Sequence, residues 1–283
     1  MRVFLAGATG AIGRRLLPLL VAGGHDVTAM VRSPGSAAEV EQAGAAVAVA
    51  DALDAAAVRT AVLEARPDVI MHQLTALSAM DFGANAALRI NGTRNLADAA
   101  AEAGARRFIA QSISWVYRPG EAPAAEDEPL DLDASGGPVH AVAELEAQTA
   151  RSPEWVVLRY GSLYGPGTWY WQDGEFAVRA RNGKLTATAD VASFLHVDDA
   201  AAAAVAALSW PTGPVNVCDD QPAAGLDWAP AFCAAVAAPP PPVSDAPRSP
   251  TARGADNTRA RTVCGWAPRW KTWRDGFAAM PRT

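Results

Sequence analysis

Gly7, Gly10 and Gly13 stand three residues apart in Gly7-Ala8-Thr9-Gly10-Ala11-Ile12-Gly13, directly after the apolar run Val3-Phe4-Leu5-Ala6. In a strand-to-helix turn, a residue without Cβ permits the tight reversal at Gly7, the close approach of an anion at Gly10 and helix-on-strand packing at Gly13. The helix start adds free N–H groups and the positive end of its dipole. The spacing and its place after a first strand predict a dinucleotide pyrophosphate, with an ordinary glycine turn as the plainer alternative. The end of the second expected strand chooses between dinucleotides. An acid there would take the ribose hydroxyls of NAD, whereas the chain reads Met30-Val31-Arg32-Ser33. Arg32 and Ser33 suit a 2′-phosphate, Arg14 can add a cation or remain a solvated first-turn residue, and NADP(H) is the expected cofactor.

The other groups able to donate, accept or stack are few. Four tyrosines, Tyr117, Tyr160, Tyr164 and Tyr170, fall in segments expected to border the carboxyl ends of strands, each either a packing aromatic or a proton donor. His140 and His196 read as acid–base groups or, more plainly, as the start of a surface helix and a tie between strand and loop, and Ser112 and Ser114 can offer a hydrogen bond but are weak acids. Thr168-Trp169-Tyr170-Trp171, after Gly165-Pro166-Gly167, reads equally as a flap with flat faces or as the core of a small domain. With nine tryptophans in the chain, a planar apolar substrate suits these aromatics better than a charged sugar nucleotide.

Such groups need strands and helices to hold them. Short apolar or β-branched runs at Arg2–Ala6, Asp26–Val31, Ala46–Ala50, Asp68–His72, Arg107–Ala110 and Trp155–Arg159 alternate with segments of helical period at Ala11–Ala22, Ser36–Ala43, Ala55–Ala65, Ala84–Ala103 and Val139–Ala150. That alternation predicts an α/β fold, a doubly wound parallel Rossmann sheet with a smaller C-terminal substrate domain. Pro18 is expected to kink the first helix. Beyond Tyr160, Val191–His196 and Pro214–Val217 are expected to return to the main sheet, with Asp198 or Asp199 capping the helix between them. The expected division is residues 1–166 and 191–218 for the cofactor, and 167–190 and 219–283 for the substrate.

Composition narrows the class. Of 283 residues half are apolar and 19% charged, which excludes disorder, and a net charge of −6 without a basic block argues against nucleic acid. Cys218, Cys233 and Cys264 have no metal-ligand spacing. No apolar run approaches the ~18 residues of a membrane span, and the apolar N-terminal run reads as a strand rather than a targeting segment. A cytoplasmic monomer or homodimer acting on a small aromatic molecule is expected.

The order of motifs resembles the extended short-chain dehydrogenase/reductase superfamily, in its epimerase and dehydratase branch. The likeness rests on the glycine turn, Asp51-Ala52-Leu53-Asp54, Asn91-Gly92-Thr93-Arg94-Asn95-Leu96, Leu158-Arg159-x4-Tyr164-Gly165-Pro166-Gly167, His196-Val197-Asp198-Asp199 and Cys264-Gly265-Trp266-x-Pro268. It implies cofactor contacts from Thr9, Ala11 and Ile12, from Asp51, Ala52 and Leu53 near the adenine, from Leu74, Thr75 and Ala76 under the dinucleotide, and from Ser112, Tyr160, Gly161 and Leu163 beside the nicotinamide. It implies a substrate bordered by Ser114, Tyr117, Tyr164, Trp169, Tyr170, Trp171 and His196.

The family's catalytic Tyr-x-x-x-Lys is absent. Only Lys184 and Lys271 exist, and Ala180 and Ala267 stand four residues before them. The segment Gly136 to Glu144, where the pair belongs, offers His140 and Glu144, and Ile113 falls at the family's serine or threonine position. Asn91, Ser112, Ser114 and Tyr117 remain as catalytic candidates, with no role assigned. In this departure the chain is similar to the atypical ketoreductases of angucyclinone antibiotic pathways, of the simocyclinone type. That likeness implies NADPH-dependent hydride transfer to a ketone of a bulky aromatic polyketide, with the proton drawn from the substrate. A non-catalytic NADP-binding sensor and a nucleotide-sugar epimerase or dehydratase are the alternatives.

Overall fold

A computed structural model describes residues 1–77, 80–134 and 138–281; Gly136 and Gly137, at the start of the segment searched for the Tyr-Lys pair, lie outside them. The chain runs β1 (Arg2–Ala6), α1 (Gly13–Ala22), β2 (Asp26–Val31), α2 (Ala37–Gln42), β3 (Ala46–Val49), α3 (Ala55–Ala65), β4 (Val69–His72), α4 (Phe82–Ala87), α5 (Thr93–Ala103), β5 (Arg107–Ile113), α6 (Val139–Thr149) and β6 (Glu154–Tyr160). It continues through β7 (Ser162–Tyr164), α7 (Glu175–Arg181), β8 (Val191–Ala192), β9 (Phe194–His196), α8 (Val197–Ala206), β10 (Gly213–Val217), β11 (Ala223–Ala224), α9 (Gly225–Ala235), α10 (Thr258–Thr262) and α11 (Trp273–Ala278). Seven strands form one sheet in the order β10-β6-β5-β4-β1-β2-β3, the doubly wound order in which the chain reverses direction beside β1. β1 pairs in parallel with β2 and β4, with Phe4 opposite Thr28 and Ile70. All four residues of β4 are buried, as a central parallel strand requires.

The chain packs as two compact units: Met1–Ser112, Leu132–Leu158 and Ala201–Pro214 form one, and Ile113–Asp131, Arg159–Ala200 and Val215–Thr283 the other. The first has a core of Phe4, Ile70, Leu96, Phe108 and Leu145. The second is built on an aromatic core of Tyr164, Phe194, Trp228, Phe232, Trp273 and Phe277. By packing, 113–131, 159–166, 191–200 and 215–218 go with the second unit, whereas the motif-based division has them in the cofactor part.

The expected first helix continues through Pro18, which lies within α1 at its exposed surface. Two other local expectations change. The expected helix Ala84–Ala103 is interrupted by a π-turn at Leu88–Gly92, an extra residue inserted between α4 and α5. Val191–His196 is not one strand of the main sheet: it splits at Ser193, with β8 pairing β11 and β9 pairing β7. The Ser193 hydroxyl accepts from the Ala255 N–H (2.9 Å), a side-chain bond at the break between the two pairings. Of the two expected returning segments, only β10 joins the seven strands.

Candidate functional site

The glycine turn in the first unit has the geometry of an anion cradle. Gly7 has φ +102°, and a Cβ on it would lie 2.7 Å from the backbone of Gln73; a Cβ on Gly13 would lie 2.0 Å from the Gly7 carbonyl oxygen. Gly10 meets nothing closer than 3.4 Å and is exposed, leaving its face open. No side chain caps the N-terminus of α1 and no acid lies in its first turn, so its N–H groups and dipole remain available to phosphate. Thr9 and Ala11 are half-buried, and Ile12 and Gly13 are buried. These residues fit a dinucleotide.

At the end of β2, Arg32 and Ser33 are exposed. Arg14 is held by Glu39, with Nε 2.7 Å from Oε1. Asp51 accepts from the Leu53 N–H (2.9 Å), and the Ala52 carbonyl accepts from Asn95 Nδ2 (2.9 Å). Leu53 and Thr75 are exposed, Ala52 is buried, and Leu74 and Ala76 are half-buried.

The ends of β4 and β5 carry a polar group that lies outside the family motifs. The Leu74 N–H donates to His72 Nδ1 (3.2 Å), so the ring proton sits on Nε2, 2.9 Å from Thr93 Oγ1. Burial, with the charge of Arg89 adding to it, pushes the His72 pKa down to about 4, and the ring is neutral. Gln73 is buried with neither amide atom partnered, while Asn85 accepts from the Ala76 N–H (3.1 Å). The Ser112 hydroxyl, fully buried, donates to Glu146 Oε1 on α6 (2.9 Å). Asn91 is exposed and takes only a long bond from Arg94 (3.4 Å), while Arg89, two residues earlier, is buried. The signal was present: Arg89, Thr93, Leu96 and Ala100 recur at helical spacing on the buried face.

In the second unit two of the candidate proton donors, Tyr117 and Tyr160, have their hydroxyls engaged. Tyr117 donates to Asn216 Oδ1 (2.6 Å) and accepts from Arg159 (2.8 Å); burial pushes its pKa up to about 12. Tyr160 donates to the Ala200 carbonyl (3.2 Å). Tyr164 is fully buried with its hydroxyl unpartnered, and burial beside Asp219, Asp199 and Asp275 drives its pKa upward. Tyr170 is raised by burial; it stacks on Phe176 (4.2 Å between ring centres) and meets Phe194, Trp228 and Phe232 edge-on. Trp169 lies 6.2 Å from Phe176, and Trp171 packs on the same aromatic cluster.

Ser114 is buried, its N–H donating to the Tyr160 carbonyl (3.0 Å). Gly161 is buried and Leu163 half-buried. His196 is buried between Tyr164 and Trp270, its Nδ1 accepting from the Asp198 N–H (3.2 Å). Asp199, one of the two residues expected to cap α8, lies inside that helix, and its carboxylate accepts from the N–H groups of Arg269 (3.0 Å) and Trp270 (2.9 Å). Among the described residues no cluster of His, Cys, Asp and Glu could hold a metal ion, and no helix is long and apolar enough to cross a membrane.

A family described as NAD(P)H-binding matches residues 7–200. The chain is 48% identical to a 3-diazoavenalumate denitrifying reductase from a Streptomyces species, over 98% of this chain and 99% of that one. It is 30% identical to a UDP-glucose 4-epimerase of Mycolicibacterium smegmatis, over 95% and 94%. Among solved structures it resembles the UDP-glucose 4-epimerase of Thermus thermophilus in complex with NAD (TM-score 0.77, 25% identity, 98% and 96% covered). The Bordetella bronchiseptica enzyme WbmG, in complex with NAD and UDP, shares the fold (TM-score 0.80, 24% identity, 99% and 93% covered).

Proposed function

From the premise that this chain belongs to the NAD(P)H-binding family, with an extended short-chain-dehydrogenase-like fold, we propose that it is an NADPH-dependent reductase of an arenediazonium carboxylate that releases dinitrogen. The observation that carries this reading is the 48% identity, over nearly the whole of both chains, to a reductase named for removing nitrogen from a diazo substrate. An aliphatic diazonium loses nitrogen unaided, whereas an aromatic one persists and needs a reductant, which makes the aromatic class the natural one for an enzyme.

The chemistry accounts for the lost Tyr-x-x-x-Lys pair. A ketone needs hydride and a proton, and so needs an acid. With the hydride that bound NADPH supplies, an arenediazonium becomes the arene and N2: the C–N bond breaks, a C–H bond forms, and no proton is taken up. Tyr117, engaged at both faces of its hydroxyl and pushed up to about 12, then has no proton to deliver. The turn at Gly7, Gly10 and Gly13 holds the pyrophosphate, and Arg32 with Ser33 favours the 2′-phosphate of NADPH over NADH.

Ketone reduction on an aromatic polyketide is the second reading, supported by the same missing pair if the substrate brings its own proton. Anaerobic turnover of 15N-labelled 4-carboxybenzenediazonium with NADPH separates the two. The expected result is one 15N2, one benzoate and one NADP⁺ per turnover above the enzyme-free rate. Ketone turnover without enzyme-dependent nitrogen release would overturn the diazonium reading.

A further inference from the structure

We propose that Arg89 binds an anionic oxygen of the substrate, a carboxylate or a ring phenolate, and thereby selects for acids. This deepens the diazonium reading and rests on it for the identity of the substrate.

Arg89 lies in the π-turn Leu88–Gly92 and is 3% exposed. Among the described residues it has no hydrogen-bond acceptor and no carboxylate at ion-pair distance. Glu146 is the one group whose charge supports it, and an oxygen of that carboxylate already accepts from Ser112. Burial lowers the Arg89 pKa to about 10, so the side chain is still a cation at neutral pH. A desolvated guanidinium without acceptors is strongly unfavourable, and five donors in a planar fork match a carboxylate.

Other buried arginines of this chain do not share the deficit. Arg253 gives two bonds of 2.6 Å to Glu128 and one to the Ala122 carbonyl. Arg159, likewise buried, donates to the Tyr117 hydroxyl and the Glu126 carbonyl.

Position favours substrate over pyrophosphate. The charge of Arg89 is felt by His72, at the end of β4, and it is supported by Glu146, bonded to Ser112 on β5. Those strands lie on the opposite side of β1 from β2 and β3, the side away from the adenosine half of a dinucleotide. Gln73, at the same edge of the sheet, adds a buried amide lacking both its partners. The cation also suits the chemistry. A phenolate conjugated with a diazonium feeds electrons into it and makes it a poorer hydride acceptor; pairing with Arg89 keeps that charge on oxygen.

The test uses the full chain with NADP⁺ bound and calorimetric titration of benzoate, 4-hydroxycinnamate, its methyl ester and its methyl ether, beside turnover of 4-carboxybenzenediazonium and its methyl ester. Wild type should prefer an anion over its neutral analogue by about ten- to a hundredfold, the range of a charge-assisted contact. The ester and ether arms tell carboxylate from phenolate. Arg89→Met should remove that preference and leave NADPH affinity within about twofold; Arg89→Lys should keep part of it. An Arg89→Met protein that discriminates as wild type does, or that loses NADPH affinity in place of acid binding, would overturn the proposal, as would a wild type indifferent to the charge. If Arg89→Met does not fold, the wild-type preference and its reduction in Arg89→Lys decide. Arg89-dependent acid binding without nitrogen release leaves Arg89 standing and the diazonium reading fallen; nitrogen release with Arg89-independent binding does the reverse.

Discussion

Buried arginines are held in opposite ways in the two compact units. In the second, Arg253 is met by Glu128 and two backbone carbonyls, and Arg159 by the Tyr117 hydroxyl and the Glu126 carbonyl. In the first, Arg89 is as deeply buried and has no acceptor among the described residues, and Gln73 likewise lacks partners. A buried polar group whose bonds are complete reports on folding, whereas one left incomplete at the carboxyl end of parallel strands reports on a ligand. Residue type alone does not separate the two cases.

The comparison breaks if cuts in the first unit act mainly on stability, or cuts in the second mainly on ligands. The largest effect is expected for Gly13→Ala, whose Cβ would stand 2.0 Å from the Gly7 carbonyl. NADPH affinity by fluorescence titration should fall a hundredfold or more, roughly 3 kcal/mol, because the turn must open. Arg253→Leu should instead lower stability by about 2 kcal/mol in denaturant titration, a value reduced from that of a fully buried pair because Glu128 is partly in water. Its NADPH affinity per folded molecule should match wild type.

Acid sharpens the contrast, since the two units contain buried groups that titrate in opposite senses. His72, held at about 4 when folded against 6.5 in the free side chain, stays neutral while the unfolded chain takes up a proton. Stability should therefore fall as pH drops from about 6.5 towards 4, by about 3 kcal/mol across the window. Asp219 is buried and pushed up to about 8, so the folded chain keeps a proton that the unfolded chain has lost. Its contribution falls as pH rises from about 4 towards 8, and Asp219→Asn should flatten that limb of the stability–pH curve while leaving the acid limb.

Smaller effects test the cofactor and the proton. Arg32→Ala should erase about tenfold of the preference for NADPH over NADH in parallel titrations; equal affinities in wild type would remove the assignment to a 2′-phosphate. Tyr117→Phe should change kcat by less than about threefold once folded protein is counted. A loss near a thousandfold with binding intact would make Tyr117 a general acid.

The elements and the phosphate turn were legible because each rests on local chemistry. Short apolar runs, period-3.6 patterns and glycines spaced as in a strand-to-helix turn do not depend on distant partners. The splitting of Val191–His196 was not legible, since Ser193 is tied to Ala255, more than sixty residues away. Nor could spacing tell that Asp199 accepts from Arg269 and Trp270 rather than capping α8. In the candidate site the family resemblance points to Asn91, while the π-turn leaves that residue exposed and Arg89 buried. A charged residue on an apolar helical face was the clue. Its meaning depends on the absence of an acceptor, which only the packed structure reveals.

In the proposed reaction, hydride from NADPH replaces dinitrogen on an aromatic ring without a proton from the protein. The decisive measurement is turnover of 4-carboxybenzenediazonium in ordinary water with NADPH carrying deuterium at the transferable C4 position. The expected product is benzoate labelled at the ring carbon that held nitrogen, with one N2 per NADP⁺ formed. Unlabelled benzoate, or deuterium found only on the carbinol carbon of a ketone offered in the same assay, would contradict it.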